Sequence, residues 1–232
     1  MGESTDFVKD RATKTISAAL QLAALWTWQE KTIPQMQTAL VAIIGDNTAT
    51  PPVVGQEEVA SAAEQVMKAA RGNWDDQLDV LHNRTVQGVS MIKNKYRGNP
   101  EKLAVVGGLT ARGSSRKETL DEALAWESAW AQADPTWAPL PANTLAAFKT
   151  LRNQCEEGLR KAYADAQSAW REQVGKLTAV VAVMEDINVA WYADATRVFP
   201  AGTAEGDMIR GTIPTTYTPP PAPPTPPAPP TP

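Results

Sequence analysis

The sequence predicts an all-α protein: two tandem long helical hairpins that form an antiparallel four-helix bundle, followed by a proline-rich C-terminal tail. Three observations predict it. Apolar residues recur at steps of three and four over long stretches, where a strand would alternate by two. Of the 19 prolines, 11 fall between Pro214 and Pro232, which leaves the rest of the chain open to helix. Several short marks also occur in the same order in both halves of the chain.

The first helix is expected from about Thr5 to about Ile44, with Pro34 kinking or dividing it. The second carries a seam through Val59, Ala63, Val66, Ala70, Trp74, Leu78, Leu81, Thr85, Gly88, Ile92 and Tyr96. Pro51-Pro52 bounds it on one side and Gly98-Asn99-Pro100 on the other. A third, shorter helix starts at the capping box Ser115-Arg116-Lys117-Glu118 and ends at Ala133-Asp134-Pro135. The fourth has Asn143 as its expected N-cap and a seam from Phe148 through Leu151, Cys155, Leu159, Trp170, Leu177 and Met184 to Trp191. A helix of roughly 50 residues would be about 75 Å long.

The shared marks suggest an internal duplication. Asp46-x-Thr48-x-x-Pro51 matches Asp134-x-Thr136-x-x-Pro139, and Trp74-x-x-Gln77-x-x-x-Leu81 matches Trp170-x-x-Gln173-x-x-x-Leu177. Tyr96 pairs with Tyr192, and Arg112-Gly113-Ser114 with Arg210-Gly211-Thr212. The expected organisation is therefore one hairpin over 1–116, a second over 117–213, and a tail over 214–232. The tail has no charge and no apolar face, and is expected to be a disordered or polyproline II strut. It serves as a spacer or as a ligand for a proline-binding groove.

Composition narrows the function. With 232 residues, 43% of them hydrophobic and 21% charged, the chain is not wholly disordered, collagenous or membrane-embedded. A net charge of −4 makes nucleic acid an unlikely partner for the whole surface. Neither a signal peptide nor a membrane-spanning run is read, so a soluble protein is expected, with the cytoplasm favoured. The single Cys155 cannot form an internal disulfide, and the single His82 excludes any site that needs two histidines.

The search for chemistry yields little. His82 and Asp79 can share a helical face, yet no G-x-S-x-G elbow accompanies them, and His82 is expected on the surface. Paired E-x-x-H motifs for a di-iron centre are missing from the sequence. Asp75, Asp76 and Asp79 lack the glycine and terminal glutamate of a calcium loop. The glycine-rich stretch Gly107 to Ser114 precedes a capped helix and offers backbone amides to an anion, without a nucleotide fingerprint. No catalytic set, metal or cofactor is expected.

Charge is uneven. Lys93, Lys95, Arg97, Lys102, Arg112, Arg116 and Lys117 stand against Glu101 alone, giving one connection +6 on a body that carries the remaining −10. These residues are candidates for binding an acidic partner, as are Trp126, Trp130 and Trp137 if they form an exposed aromatic patch rather than packing the end of a hairpin. The function expected is a non-catalytic structural or protein-interaction protein, with a protein partner or self-assembly. The alternatives are a polyanion binder that uses the 93–117 connection, or an enzyme or cofactor binder without a recognisable site.

Overall fold

The computed structural model describes residues 4–139 and 143–213; the proline-rich tail expected over 214–232 lies outside the described residues. Helix is the dominant structure. Helix α1 (Thr5–Leu22) is capped by Ser4, whose hydroxyl accepts from the Phe7 amide. Helix α2 (Ile33–Ile44) begins with a capping box between Thr32 and Gln35 and places Pro34 in its first turn. The expected long first helix is thus divided, and the division falls at 23–32, ahead of Pro34. Proline opens α2 because its missing amide is not needed in a first turn.

A two-residue antiparallel pair, β1 (Gly45–Asp46) with β2 (Val53–Val54), closes the loop after α2. Gly45 has φ 80°, and a β-carbon there would meet the Val53 carbonyl at 2.5 Å, so the turn requires glycine. Helix α3 (Gln56–Lys95) runs 40 residues, within the predicted bounds. Helix α4 (Pro100–Val106) is capped by Asn99, and α5 (Arg116–Ala133) by the predicted box of Ser115 and Glu118. Helix α6 (Leu145–Asn153) is capped by Thr144, one residue after the expected Asn143. It passes through a π-helical segment, Gln154–Leu159, directly into α7 (Arg160–Val198), and α8 (Ala204–Arg210) follows.

The described residues divide into two compact units, one made of those up to Val59 together with those from Gly175 on, the other of those from Ala60 to Val174. The first unit has a core of Val8, Ala12, Leu22, Met36, Ile43, Met184, Trp191, Ala195 and Ile209, from α1, α2, the end of α7 and α8. The second has Leu78, Leu81, Ile92, Val106, Ala123, Trp126, Trp130, Phe148 and Cys155, from the later part of α3, α4, α5, α6 and the π segment.

Burial repeats along the chain at fixed spacings. Every buried residue of α5 has a buried counterpart in α1, 111 positions earlier: Thr119 and Val8, Ala123 and Ala12, Trp126 and Thr15, Ala129 and Ala18, Trp130 and Ala19, Ala133 and Leu22. Phe148 answers to Met36 and Cys155 to Ile43, both 112 apart. On the long helices the spacing is 103: Leu78 and Val181, Leu81 and Met184, Thr85 and Asn188, Gly88 and Trp191, Ile92 and Ala195 are all buried. Val106 of α4 and Ile209 of α8 keep the same spacing.

The matches read from identical residues follow a different register and do not hold as structural equivalences. Asp46 lies between α2 and α3, whereas Asp134 lies between α5 and α6. Trp74 is buried and Trp170 only half-buried, and Tyr96 is buried while Tyr192 is half-buried. By burial, Trp74 answers to Leu177, which packs on the first core. Identity misleads here because packing constrains position and volume, not residue type.

Candidate functional site

The basic connection between α3 and α5 is held by its own unit. Lys95 donates to Asp134 at 2.8 Å, and the Tyr96 hydroxyl donates to the same carboxylate oxygen at 2.5 Å. These two donors, with Thr136, hold the Asp134 carboxyl far below the usual carboxylate range. Lys93 donates to the Leu109 carbonyl at 2.8 Å, and Lys102 sits over the Tyr96 ring, 4.6 Å from its centre.

Arg116 clamps Asp75 with two bonds of 2.7 and 2.8 Å while lying 4.5 Å over the Trp74 ring. The Arg116 bond lowers the Asp75 pKa. Lys117 pairs with Asp121 one turn along, and Arg97 with Asn94. Arg112 is exposed. Lys93, Lys95, Lys102 and Arg116 therefore tie α3, α4, α5 and the segments between them to one another.

The glycine-rich stretch does bind an anion, and the anion is the protein's own. The Arg112 and Gly113 amides donate to the Glu122 carboxylate at 2.9 Å each. Those of Ser114 and Ser115 donate to Glu118 at 3.0 Å each. The Ser115 hydroxyl and these amides lower the Glu118 pKa.

Trp126 and Trp130 are fully buried, which removes them from any exposed aromatic patch. Their rings stack with centres 5.1 Å apart, and Trp130 Nε1 donates to the Trp137 carbonyl at 2.9 Å. Trp137 is half-buried, its ring 6.0 Å from that of Trp130. Together they close the end of the second core. Gly88 lies directly beneath: a β-carbon there would stand 2.5 Å from the Trp126 ring.

His82 is half-buried rather than on the surface, and its Nδ1 is shut from solvent without a hydrogen-bond partner. Cys155 is fully buried, and burial raises its thiol pKa. Among the described residues, no group of three or more His, Cys, Asp or Glu side chains is placed to hold a metal ion. Among the described residues, no helix is long and apolar enough to cross a membrane.

Two features escape the sequence reading. One is an ion-pair cluster in the second unit: Arg152 Nε meets Glu127 at 2.6 Å and its Nη1 meets Glu156 at 2.5 Å, with the Arg152 and Glu127 side chains only 11% and 13% exposed. The other is a cavity of about 180 Å³ in the first unit, lined by Ala19, Ala23, Trp26, Thr27, Trp28, Lys31, Ile33, Met36 and Trp191 among others. Trp28 is locked there by a 3.0 Å bond from Nε1 to Asp194. The two closely spaced indoles of Trp26-x-Trp28, in a segment linking two helices, are the only mark the sequence gives of this cavity. No family model matches the chain, and comparison with curated proteins and with solved structures gives no match either.

Proposed function

We propose that the chain is a non-catalytic structural or protein-interaction protein, a helical scaffold built from a duplicated helical module. The single observation that carries this reading is the recurrence of one burial pattern at spacings of 111 and 103. The modules are then α1 to α4 and α5 to α8. Their helices exchange, so that α1 and α2 share a core with the end of α7 and α8, while α5 and α6 share one with the later part of α3 and α4. Each unit is read as its own four-helix bundle.

Long helical stretches without buried residues add support. Residues 61–73 of α3 and 161–180 of α7 contain none. At 1.5 Å per residue they are about 20 and 30 Å of helix. We read these exposed helical faces as binding surfaces of a scaffold whose partner is a protein or another copy. The polyanion-binding alternative draws less support, because most cations of the 93–117 connection already have partners within their unit.

Light scattering coupled to chromatography tests the proposal. A discrete oligomer, or a stoichiometric complex with a co-purifying protein, is the expected result. A monomer that retains a small-molecule chromophore through purification would overturn it in favour of a cofactor binder.

A further inference from the structure

The cavity of about 180 Å³ in the first unit has the walls of a binding site. Ala19, Trp28, Met36 and Trp191 of its lining are buried. These walls are held in place. Trp28 is pinned by its bond to Asp194. Trp26 rests against Trp191 and meets Phe199 edge-on, with ring centres 6.4 and 6.2 Å away. The capping box of Thr32 and Gln35 fixes the start of α2, which carries Ile33, Pro34 and Met36 of the lining. A space bounded by fixed side chains needs little reorganisation to accept a ligand.

We propose that this cavity binds a small aromatic carboxylate, its ring among the indoles and its carboxylate at Lys31. Size, wall chemistry and charge together choose that class. An apolar cavity of about 150 Å³ takes a benzene-sized molecule, so this one has room for a single ring with a small substituent. Aromatic rings favour tilted and offset neighbours, and the walls offer indole faces already inclined to each other, with Trp26 and Trp191 at 51°. Lys31 is the one ionisable side chain in the lining, and it has no ion-pair partner among the described residues. Asp194 is taken up by Trp28 and Arg197.

Lys31 is exposed, so its ammonium stands at the rim. A carboxylate held there keeps contact with water while the ring is buried, which avoids the cost of enclosing a charge. A neutral ring gains the same walls without the ion pair. The site lies within one unit and does not depend on the scaffold reading.

Fluorine NMR titration of the full-length protein with 4-fluorobenzoate, and with 4-fluorobenzamide as its uncharged likeness, tests the proposal. The carboxylate should bind with a Kd below about 1 mM, within reach of a ligand of about ten heavy atoms. The amide should bind about three- to fivefold more weakly, the worth of one solvent-exposed ion pair. Lys31→Gln should remove that difference by weakening the carboxylate alone. Ala19→Leu, which grows into the cavity, should abolish binding of both probes. Should it fail to fold, Ala23→Leu, at an exposed lining position, decides in its place. Absence of carboxylate binding at about 5 mM overturns the proposal. Equal affinity of wild type for the two probes overturns it too, as does a carboxylate affinity unchanged in Lys31→Gln. Binding that persists in the folded leucine variant puts the probe elsewhere and overturns the placement.

Discussion

The ion-pair cluster of the second unit offers a comparison made by the protein itself. Glu127 and Arg152 stand 111 and 112 positions after Ile16 and Leu40, which pack in the first core. One unit thus uses a nearly enclosed ion pair where the other uses two aliphatic side chains. Arg152→Leu alone would leave the Glu127 carboxylate enclosed, with Lys149 Nζ at 4.0 Å as its remaining cation among the described residues. Breaking a buried pair from one side costs about 3–5 kcal/mol, and replacing both partners with apolar residues is often neutral or stabilising. The residual exposure and Lys149 favour the low end, about 3 kcal/mol. With a urea slope near 2–3 kcal/mol/M, the midpoint of the second-unit transition should fall by about 1 M or more.

The double variant Glu127→Ile with Arg152→Leu, which installs the residues of the first unit, should recover to within about 1 kcal/mol of wild type. The assay is urea unfolding followed by hydrogen exchange in peptides from α5 and α6, which report that unit directly. A double variant that falls as far as the single one, or as far as the two singles added together, would refute the reasoning. It would show that Ile16 and Leu40 are not equivalents of this pair.

Three other outcomes are expected. Gly88→Ala should destabilise by about 1–3 kcal/mol in thermal unfolding, since its β-carbon meets the Trp126 ring; helix propensity alone gives the opposite sign. Trp74→Ala should cost about 3–5 kcal/mol and Trp170→Ala distinctly less, because only Trp74 is buried; equal losses would restore the identity-based register. Asp134→Asn should lower the denaturation midpoint at neutral pH. Because folding depresses the Asp134 pKa, its contribution is fully present above the unfolded value of about 3.9 and is lost as pH falls through the folded value. The gap between wild type and variant should therefore be constant above about pH 5 and close below about pH 4, and a gap that widens on acidification would contradict the assignment.

Much of the helical plan was legible. Steps of three and four marked α3 and the continuous run from α6 into α7, and proline and glycine marked where α3 begins and ends. The Ser115 box set the start of α5 to the residue. The break after α1 was not legible, because residues 23–32 contain neither proline nor glycine and Pro34 drew attention to the wrong place. Asn143 and Thr144 are both good caps, and only the Thr144 hydroxyl accepts from the Ala147 amide. The basic connection was legible as a charge run but not as a fastening. Its partners Asp75 and Asp134 are 41 positions from Arg116 and 39 from Lys95, and no local pattern announces a pairing at that range.

The register of the repeat was hidden for a reason that also explains the cavity. Two copies of a packed unit can diverge by exchanging bulk across a contact, one side shrinking as the other grows, because density is what the core preserves. In the second unit Trp126 stands over Gly88; in the first their equivalents are Thr15 and Trp191. No identity survives such an exchange, so an alignment by identical residues passes over the positions most tightly coupled. It settles instead on Asp-x-Thr turns and tryptophans that are alike for local reasons. Where the second core has Trp130 the first has Ala19, and where the first core has Trp28 the position 111 later is Pro139. A gap lined by three indoles forgoes dispersion contacts on every wall.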